Sequence, residues 1–176
     1  MNRKDMLMPA RHFFRTLALP AAALALCLAT GGSAREGLAE QKDRLLAPGK
    51  LKLAGRWMRC GATPTLISNS FWDYGGATKG RIILNPAKLS TLPDAVRLYV
   101  YAHECGHQIY GAKETRADCY AVRRGRREGW LSAEGMDQIC DFLKDYPGDH
   151  VHPPGPIRCE KMRICFSKSK PKRASN

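Results

Sequence analysis

The chain has 176 residues, of which 44% are hydrophobic and 26% are charged, and its formal net charge is +13. This length fits one globular domain with short extensions, and a mean hydropathy of −0.39 excludes a protein with many membrane spans. The balance of apolar and charged residues also excludes low-complexity disorder and collagen-like repeats.

The first 34 residues are typical of a secretory signal peptide. Four basic residues between positions 3 and 15 precede an uncharged stretch over residues 16–34, which ends in small side chains. This order predicts cleavage after Ala34 and export to the periplasm or the extracellular space. The apolar core of this stretch, residues 17–29, is shorter than the roughly 20 residues that span a bilayer. An uncleaved membrane anchor is the alternative.

Export has consequences for charge and for the cysteines. Residues 1–34 carry four basic and one acidic side chain, so the mature chain has a net charge of +10. Six cysteines remain: Cys60, Cys105, Cys119, Cys140, Cys159 and Cys165. In an oxidising compartment they predict up to three disulfides, whose pairing the sequence does not determine. The short separation favours Cys159 with Cys165, and the alternative is that some cysteines remain buried thiols.

The N-terminal part of the mature chain predicts a lead-in and a small sheet. Residues 35–56 are charged and indicate one short amphipathic helix before Pro48 and Gly49. Residues 63–67 and 81–84 are typical of strands, and the turn-rich residues 72–76 between them favour a hairpin. By analogy with other sheets, the strand at 81–84 is expected to offer its edge to an extended peptide.

Three helices are predicted next, followed by a loop-rich C-terminus. Pro93 and Asp94 begin the first helix, which the 3.6-residue period carries to Tyr110 before Gly111 ends it. A second helix is expected over residues 113–127, and a third begins at Ser132 and ends near Tyr146. The chain after that is expected to be a loop pinned by a disulfide, with a basic tail over residues 161–176. Together these elements predict an α+β domain over residues 57–160, with a short antiparallel sheet followed by three helices.

The first predicted helix contains the pattern HExxH, formed by His103, Glu104 and His107. Residues four apart lie one turn apart on the same helix face, so both imidazoles can bind one Zn²⁺ while Glu104 projects beside them. The helix is apolar on two faces, which predicts burial on both sides. Cys105 points away from the histidines and is therefore expected to be structural.

A catalytic zinc site needs a third protein ligand and an open position for water. Glu114 and Asp118 are the nearest acidic candidates, and a chain reversal at Gly111 would return Glu114 to the histidines. Asp118, one turn further on, would accept the free ring N–H of a ligating histidine. The alternative is that both acids are ordinary cap and salt-bridge residues.

Two short motifs carry a resemblance to known enzymes. Residues 101–108 and 114–121 together resemble the gluzincin-type zinc metallopeptidases, in particular the neutral zinc metallopeptidase family and the heat-shock and CAAX-processing endopeptidases. The resemblance implies a zincin-like domain in which Glu114 is the third zinc ligand and Asp118 supports the site. Residues 152–158 are similar to the His-Pro…Arg element of the second group, which implies catalytic roles for His152 and Arg158.

If zinc binds, the expected chemistry is peptide hydrolysis, in which Glu104 is the general base and His152 or Arg158 stabilises the oxyanion. The expected substrate is a peptide or protein. The basic surplus favours association with anionic envelope polymers or lipid headgroups, whereas no nucleic-acid module accompanies it. Two alternatives are a non-catalytic zinc protein of the cell envelope and a disulfide-stapled polyanion-binding module without metal.

Overall fold

The computed structural model describes residues 42–171, and the predicted signal peptide lies outside this range. The described chain is an α+β domain, as predicted. It contains six strands: β1 (Arg44–Leu46), β2 (Leu51–Leu53), β3 (Arg56–Met58), β4 (Thr65–Ile67), β5 (Gly75–Thr78) and β6 (Arg81–Leu84). Five helices follow: α1 (Pro86–Leu89), α2 (Asp94–Tyr110), α3 (Glu114–Arg127), α4 (Ala133–Leu143) and α5 (Gly155–Ser167).

The main sheet has four strands in the order β1-β4-β6-β5, and β2 and β3 form a separate two-stranded ribbon. The predicted hairpin between residues 63–67 and 81–84 is wrong, because β4 and β6 pair in parallel. The hairpin instead joins β5 to β6, because Gly75 and Gly76, predicted as the end of the turn, begin strand β5. Strand β6 is therefore internal, and β5 is the free edge beside α2.

The predicted helix in residues 35–56 is also wrong within the described part. Residues 44–46 form β1, which pairs antiparallel with β4, and Leu45 lies opposite Leu66. Strand β4 offers residues 44–46 a ready set of backbone partners, which favours the extended conformation over a helix. These residues are thus part of the domain and not a lead-in to it.

The three predicted helices are confirmed as α2, α3 and α4. Helix α2 ends before Gly111, which has φ of +61°, and Ser132 caps α4 by accepting a hydrogen bond from the Gly135 amide at 3.0 Å. Helix α2 packs against the sheet on one side and against α3 and α4 on the other. Nearly all of residues 95–106 are buried, as the two apolar faces predict.

The C-terminus differs from the predicted loop because it folds as helix α5. Pro156 stands in the first turn of α5, where a missing amide proton has no cost, and Met162 and Cys165 are buried against the other helices. The domain therefore continues past residue 160 as far as Ser167.

Three disulfides cross-link the domain: Cys60–Cys105, Cys119–Cys165 and Cys140–Cys159. Their number is as predicted, and Cys105 is structural. The predicted Cys159–Cys165 bond is wrong, since six residues along one helix separate the Cα atoms by about 9 Å, beyond disulfide reach. Three disulfides are characteristic of an oxidising environment outside the cytosol. Across residues 42–171, none of the helices has the length and apolar character to span a membrane.

Candidate metal centre

The structure brings together the three predicted metal ligands. The Nε2 atoms of His103 and His107 lie 2.9 Å apart. Glu114 Oε2 is 3.3 Å from His103 Nε2, and Glu114 Oε1 is 3.3 Å from His107 Nε2. One ligand atom from each residue therefore falls within 4.8 Å of the other two, a spacing that can hold a metal ion.

The turn between α2 and α3 explains how the glutamate reaches the histidines. Gly111 adopts a left-handed φ that reverses the chain, and its amide donates to the His107 carbonyl at 2.9 Å. The two helices also approach very closely at Gly106, where a Cβ atom would lie 2.7 Å from Ala117 Cα. Glu114 is the first residue of α3, so this close packing places its carboxylate against the imidazoles.

The hydrogen-bonding pattern leaves three electron-pair donors facing one point. His107 Nδ1 lies 2.7 Å from the Gly111 carbonyl and His103 Nδ1 lies 2.8 Å from Asp118 Oδ1, so each Nε2 presents its lone pair inward. Glu114 Oε2 is buried and accepts no hydrogen bond from any residue between 42 and 171. Converging imidazole and carboxylate donors fit a cation, and the residues present therefore suit the predicted metal.

The pKa values of the candidate ligands also support a cation at this site. Burial alone would lower the pKa of His103, but its contacts with Asp118 and Glu114 raise it to about 9. Burial would raise the pKa of Glu114, but its contacts with both histidines lower it to about 2. The pocket thus stabilises a positive charge between the ligands, which a metal cation supplies in place of a proton.

Asp118 is the centre of a buried network behind the ligands. Its Oδ1 accepts hydrogen bonds from Tyr99 Oη at 2.7 Å and from Arg158 Nη2 at 2.7 Å, and its Oδ2 accepts one from Arg158 Nε at 2.9 Å. Burial disfavours the charged carboxylate, but the Arg158 and His103 contacts hold the pKa of Asp118 well below its usual range. Asp118 thus lies where a residue that orients His103 would lie, with its Oδ1 2.8 Å from His103 Nδ1, and the orienting role stays a prediction.

Arg158 occupies a different place from the one that the sequence suggests. Its guanidinium binds Asp118 bidentately and donates to Tyr99 Oη at 3.0 Å, while its Nη2 is 4.0 Å from Glu114 Oε2. This geometry favours a role in positioning the ligands over contact with a reacting group. Tyr99 was missed as a functional residue, although its position four residues before His103 on the same helix face is a usable signal.

His152 lies at the edge of the site, on the segment before α5. Its Nε2 is 3.5 Å from Glu114 Oε1, and its Nδ1 is 3.0 Å from Asp149 Oδ2. Asp149 also accepts a hydrogen bond from Tyr146 Oη, so the imidazole is oriented by an acid that the sequence analysis did not single out. His152 is therefore held with its Nε2 edge toward the ligands, and about a third of its side chain is exposed.

Two cavities meet at the ligands. A cleft of about 600 Å³ runs beside β5 and the β5–β6 turn, and a smaller cavity of about 220 Å³ extends toward α4. The smaller cavity is lined mainly by apolar and aromatic side chains: Tyr74, Tyr99, Val100, Phe142, Leu143 and Tyr146. Both cavities are lined by His103, Glu104 and His152, so these residues stand at the junction.

Glu104 is buried beside the ligand trio and reaches both cavities. Burial raises the pKa of its carboxyl group, although His103 and His107 oppose the shift. A buried carboxylate that faces a cleft beside the ligand trio is placed to accept and return a proton.

Comparison with known proteins gives no guide to the family. No family model matches the sequence, and no curated protein and no solved structure matches it significantly. The assignment of a function therefore depends on the geometry of the site itself.

Proposed function

We propose that this chain is an exported zinc-dependent peptidase of the gluzincin type. The observation that carries the proposal is the convergence of His103, His107 and Glu114 beside the buried Glu104, at the junction of two open cavities. Two imidazoles and a carboxylate are a common ligand set of catalytic zinc, which keeps a further position for water. Export through a signal peptide at residues 1–34 agrees with the three disulfides.

The positions of the side chains suggest a role for each residue. Zinc, when bound, activates a water molecule and polarises a carbonyl group. Glu104 takes the proton from the attacking water and passes it to the leaving amine nitrogen. Asp149 orients His152 so that its Nε2 faces the ligands, and as an imidazolium, with Nδ1–H on Asp149, it donates a hydrogen bond from Nε2 to the developing oxyanion.

The cleft suggests how a peptide is held. Residues 76–78 of β5 line the large cleft, and β5 is one of the two edge strands of its sheet. An extended peptide added along this edge would pair with backbone groups and pass the metal ligands. One of its side chains would enter the smaller cavity, whose aromatic and aliphatic lining favours an apolar residue next to the cleaved bond.

A non-catalytic zinc protein is the competing possibility. A structural zinc site is normally closed by four protein ligands, whereas the trio here opens onto a cleft of about 600 Å³. The open cleft and the adjacent Glu104 favour catalysis, and one variant distinguishes the two functions.

The test is Glu104→Gln, which retains the shape of the side chain but removes its basicity. We expect a zinc content close to one ion per chain and a fall in peptide hydrolysis of about 10²–10⁴-fold. Zinc is measured by mass spectrometry of the purified mature chain, and hydrolysis with a quenched fluorescent peptide library. Glu134→Gln, an exposed substitution in α4, is the matched control and should leave both values unchanged.

Two results would contradict the proposal. Hydrolysis that persists at the level of the unmodified chain in Glu104→Gln would exclude Glu104 as the base. A zinc content below about 0.5 per chain in the unmodified protein would exclude both zinc functions.

A further inference from the structure

A second groove lies on the outer face of α3, away from the metal ligands. It encloses about 370 Å³ and is lined by Tyr110, Arg116, Cys119, Tyr120, Arg123 and Arg127. The three arginines stand at spacings of seven and four residues, so they share one helix face over a rise of about 16 Å. Tyr120 stands among them on the same face, and Tyr110 is the last residue of α2.

The three guanidinium groups of this groove have no acidic partner. No carboxylate in the described part of the chain lies within ion-pair distance of Arg116, Arg123 or Arg127, and no acidic residue lines the groove. All three are exposed. A row of unpaired positive charges in a depression concentrates a positive potential that an anionic ligand would neutralise.

The other two arginines of α3 show the contrast. Arg124 is buried and paired with Glu128 at 2.8 Å. Arg126 stacks on the Phe166 ring with its guanidinium carbon 4.3 Å from the ring centroid, and it donates to the Phe166 carbonyl. These two stabilise the packing of α3 against its surroundings. The arginines of α3 therefore do not form a uniformly solvated basic face. Those without a described acidic or aromatic partner are the three that line the groove.

The groove is rigid. Cys119, on its floor, is bonded to Cys165 of α5. The rings of Tyr110 and Tyr120 form an edge-to-face pair with centroids 6.2 Å apart, and Tyr120 Oη lies 3.7 Å from Cys105 Sγ. A ligand therefore meets rings and a disulfide that are already in place, and the ordering cost of binding falls on the three exposed arginine side chains.

We propose that this groove binds a linear anionic polysaccharide. Guanidinium groups bind carboxylate, sulfate or phosphate groups bidentately, and the ring faces of Tyr110 and Tyr120 offer apolar surface to sugar rings. The two tyrosine rings meet at an angle of 66°. They therefore do not form the parallel platforms on which successive nucleic-acid bases stack. A recessed site also favours a single polymer chain over the flat surface of a membrane. The disulfides indicate a compartment in which such polymers occur outside the cytosol.

The groove is adjacent to the cleft. Tyr110 lines the groove, and Gly111, the next residue, lines the cleft at the metal ligands. A polysaccharide bound along α3 would thus hold the protein so that its cleft lies beside the polysaccharide, or beside proteins attached to that polysaccharide. Binding at the groove is independent of hydrolysis, and the two proposals can fail separately.

The experiment measures binding of two fluorescein-labelled probes, a heparin-type sulfated oligosaccharide and an oligogalacturonate, to the mature chain by fluorescence anisotropy. The test variant is Arg116→Gln/Arg123→Gln/Arg127→Gln, and its control is Lys50→Gln/Lys52→Gln/Lys144→Gln, which removes the same charge from exposed positions outside the groove. We expect a loss of affinity of about tenfold or more in the test variant and less than about twofold in the control. Zinc content and thermal unfolding verify that both variants are folded.

A second variant tests the tyrosine contribution without a change in charge. Tyr110→Ala should weaken binding of both saccharides by about fivefold and leave binding to phosphatidylglycerol vesicles unchanged. Equal losses in the arginine and lysine variants would overturn the proposal, because binding would then follow net charge alone. Tighter binding of a single-stranded oligonucleotide of equal charge would also overturn it. So would an arginine variant that loses binding to vesicles but keeps its binding to both saccharides.

Discussion

At the residue scale, the metal centre depends on the order of acids along α3. Glu114 is the first residue of the helix and reaches the Nε2 atoms, whereas Asp118, one turn later, reaches the opposite nitrogen of His103 at 2.8 Å. The pairing of Asp118 with Arg158 keeps that carboxylate ionised in spite of its burial. One carboxylate is therefore placed to bind a metal, and the other is placed to fix the tautomer and ring orientation of a ligating histidine.

This assignment predicts the effect of Asp118→Asn. The amide no longer carries the charge that orients and polarises the His103 ring, so we expect zinc affinity to fall by about 10–100-fold. Competition with a chromogenic chelator measures the change. The control is Asp94→Asn, which removes an exposed carboxylate from α2. If the affinity stays within about twofold of the unmodified chain, His103 is positioned by the fold alone.

The ligands themselves could be predicted from the sequence, because a helix converts a spacing of four residues into a shared face. The residues that position those ligands could not be predicted from the sequence. Arg158 lies 40 positions after Asp118 in the chain, and only the docking of α5 brings it to the site. Asp149 reaches His152 through a local turn whose geometry no periodic pattern encodes.

At the element scale, the distance between α2 and α3 determines whether the ligands meet. Gly106 lies against Ala117 in the middle of the helix pair, and its missing Cβ would be 2.7 Å from a backbone atom. Two small residues at this crossing allow the helices to approach, and the sharp turn at Gly111 then leaves Glu114 beside His107. The pattern of small residues is thus part of the metal site, although it contributes no ligand atom.

The prediction at this scale is that Gly106→Ala destabilises the protein. In an unobstructed helix the change would stabilise by about 1 kcal/mol. Here the new methyl group must displace α3, at a cost of about 1–3 kcal/mol, and zinc affinity should fall with it. Chemical denaturation and chelator competition measure the two effects.

Thr115→Ala in α3 is the control for this substitution, since it replaces a half-buried side chain with a better helix former. It should leave zinc affinity unchanged. A gain in stability for Gly106→Ala would show that the helices can separate without loss, and that the close crossing is not required.

The helices whose ends carry clear signals could be predicted from the sequence, and the elements defined by their partners could not. Pro93, Gly111 and Ser132 mark helix ends through their own backbone or capping chemistry. Strand β1 forms because β4 lies beside it, and α5 forms because two disulfides and a buried face hold it. In both cases the deciding interaction comes from residues distant in sequence.

At the scale of the whole molecule, the disulfides connect different layers. Cys60–Cys105 joins the strand-rich region to α2, whereas the other two bonds join α5 to α3 and α4. Helix α2 is buried on both sides and remains in place through its packing. Helix α5 packs against α3 and α4, and it supplies the buried Arg158, directly before Cys159.

This arrangement predicts that two disulfides of similar structural importance differ in their effect on the metal. Cys140→Ala/Cys159→Ala and Cys60→Ala/Cys105→Ala should each lower the free energy of unfolding by about 2–4 kcal/mol. Only the first pair loosens α5 and the arginine that holds Asp118, so it alone should weaken zinc binding, by about tenfold. Denaturant unfolding and chelator competition on both variants provide the comparison. An equal loss of zinc affinity in the two would mean that general stability, and not the docking of α5, controls the site.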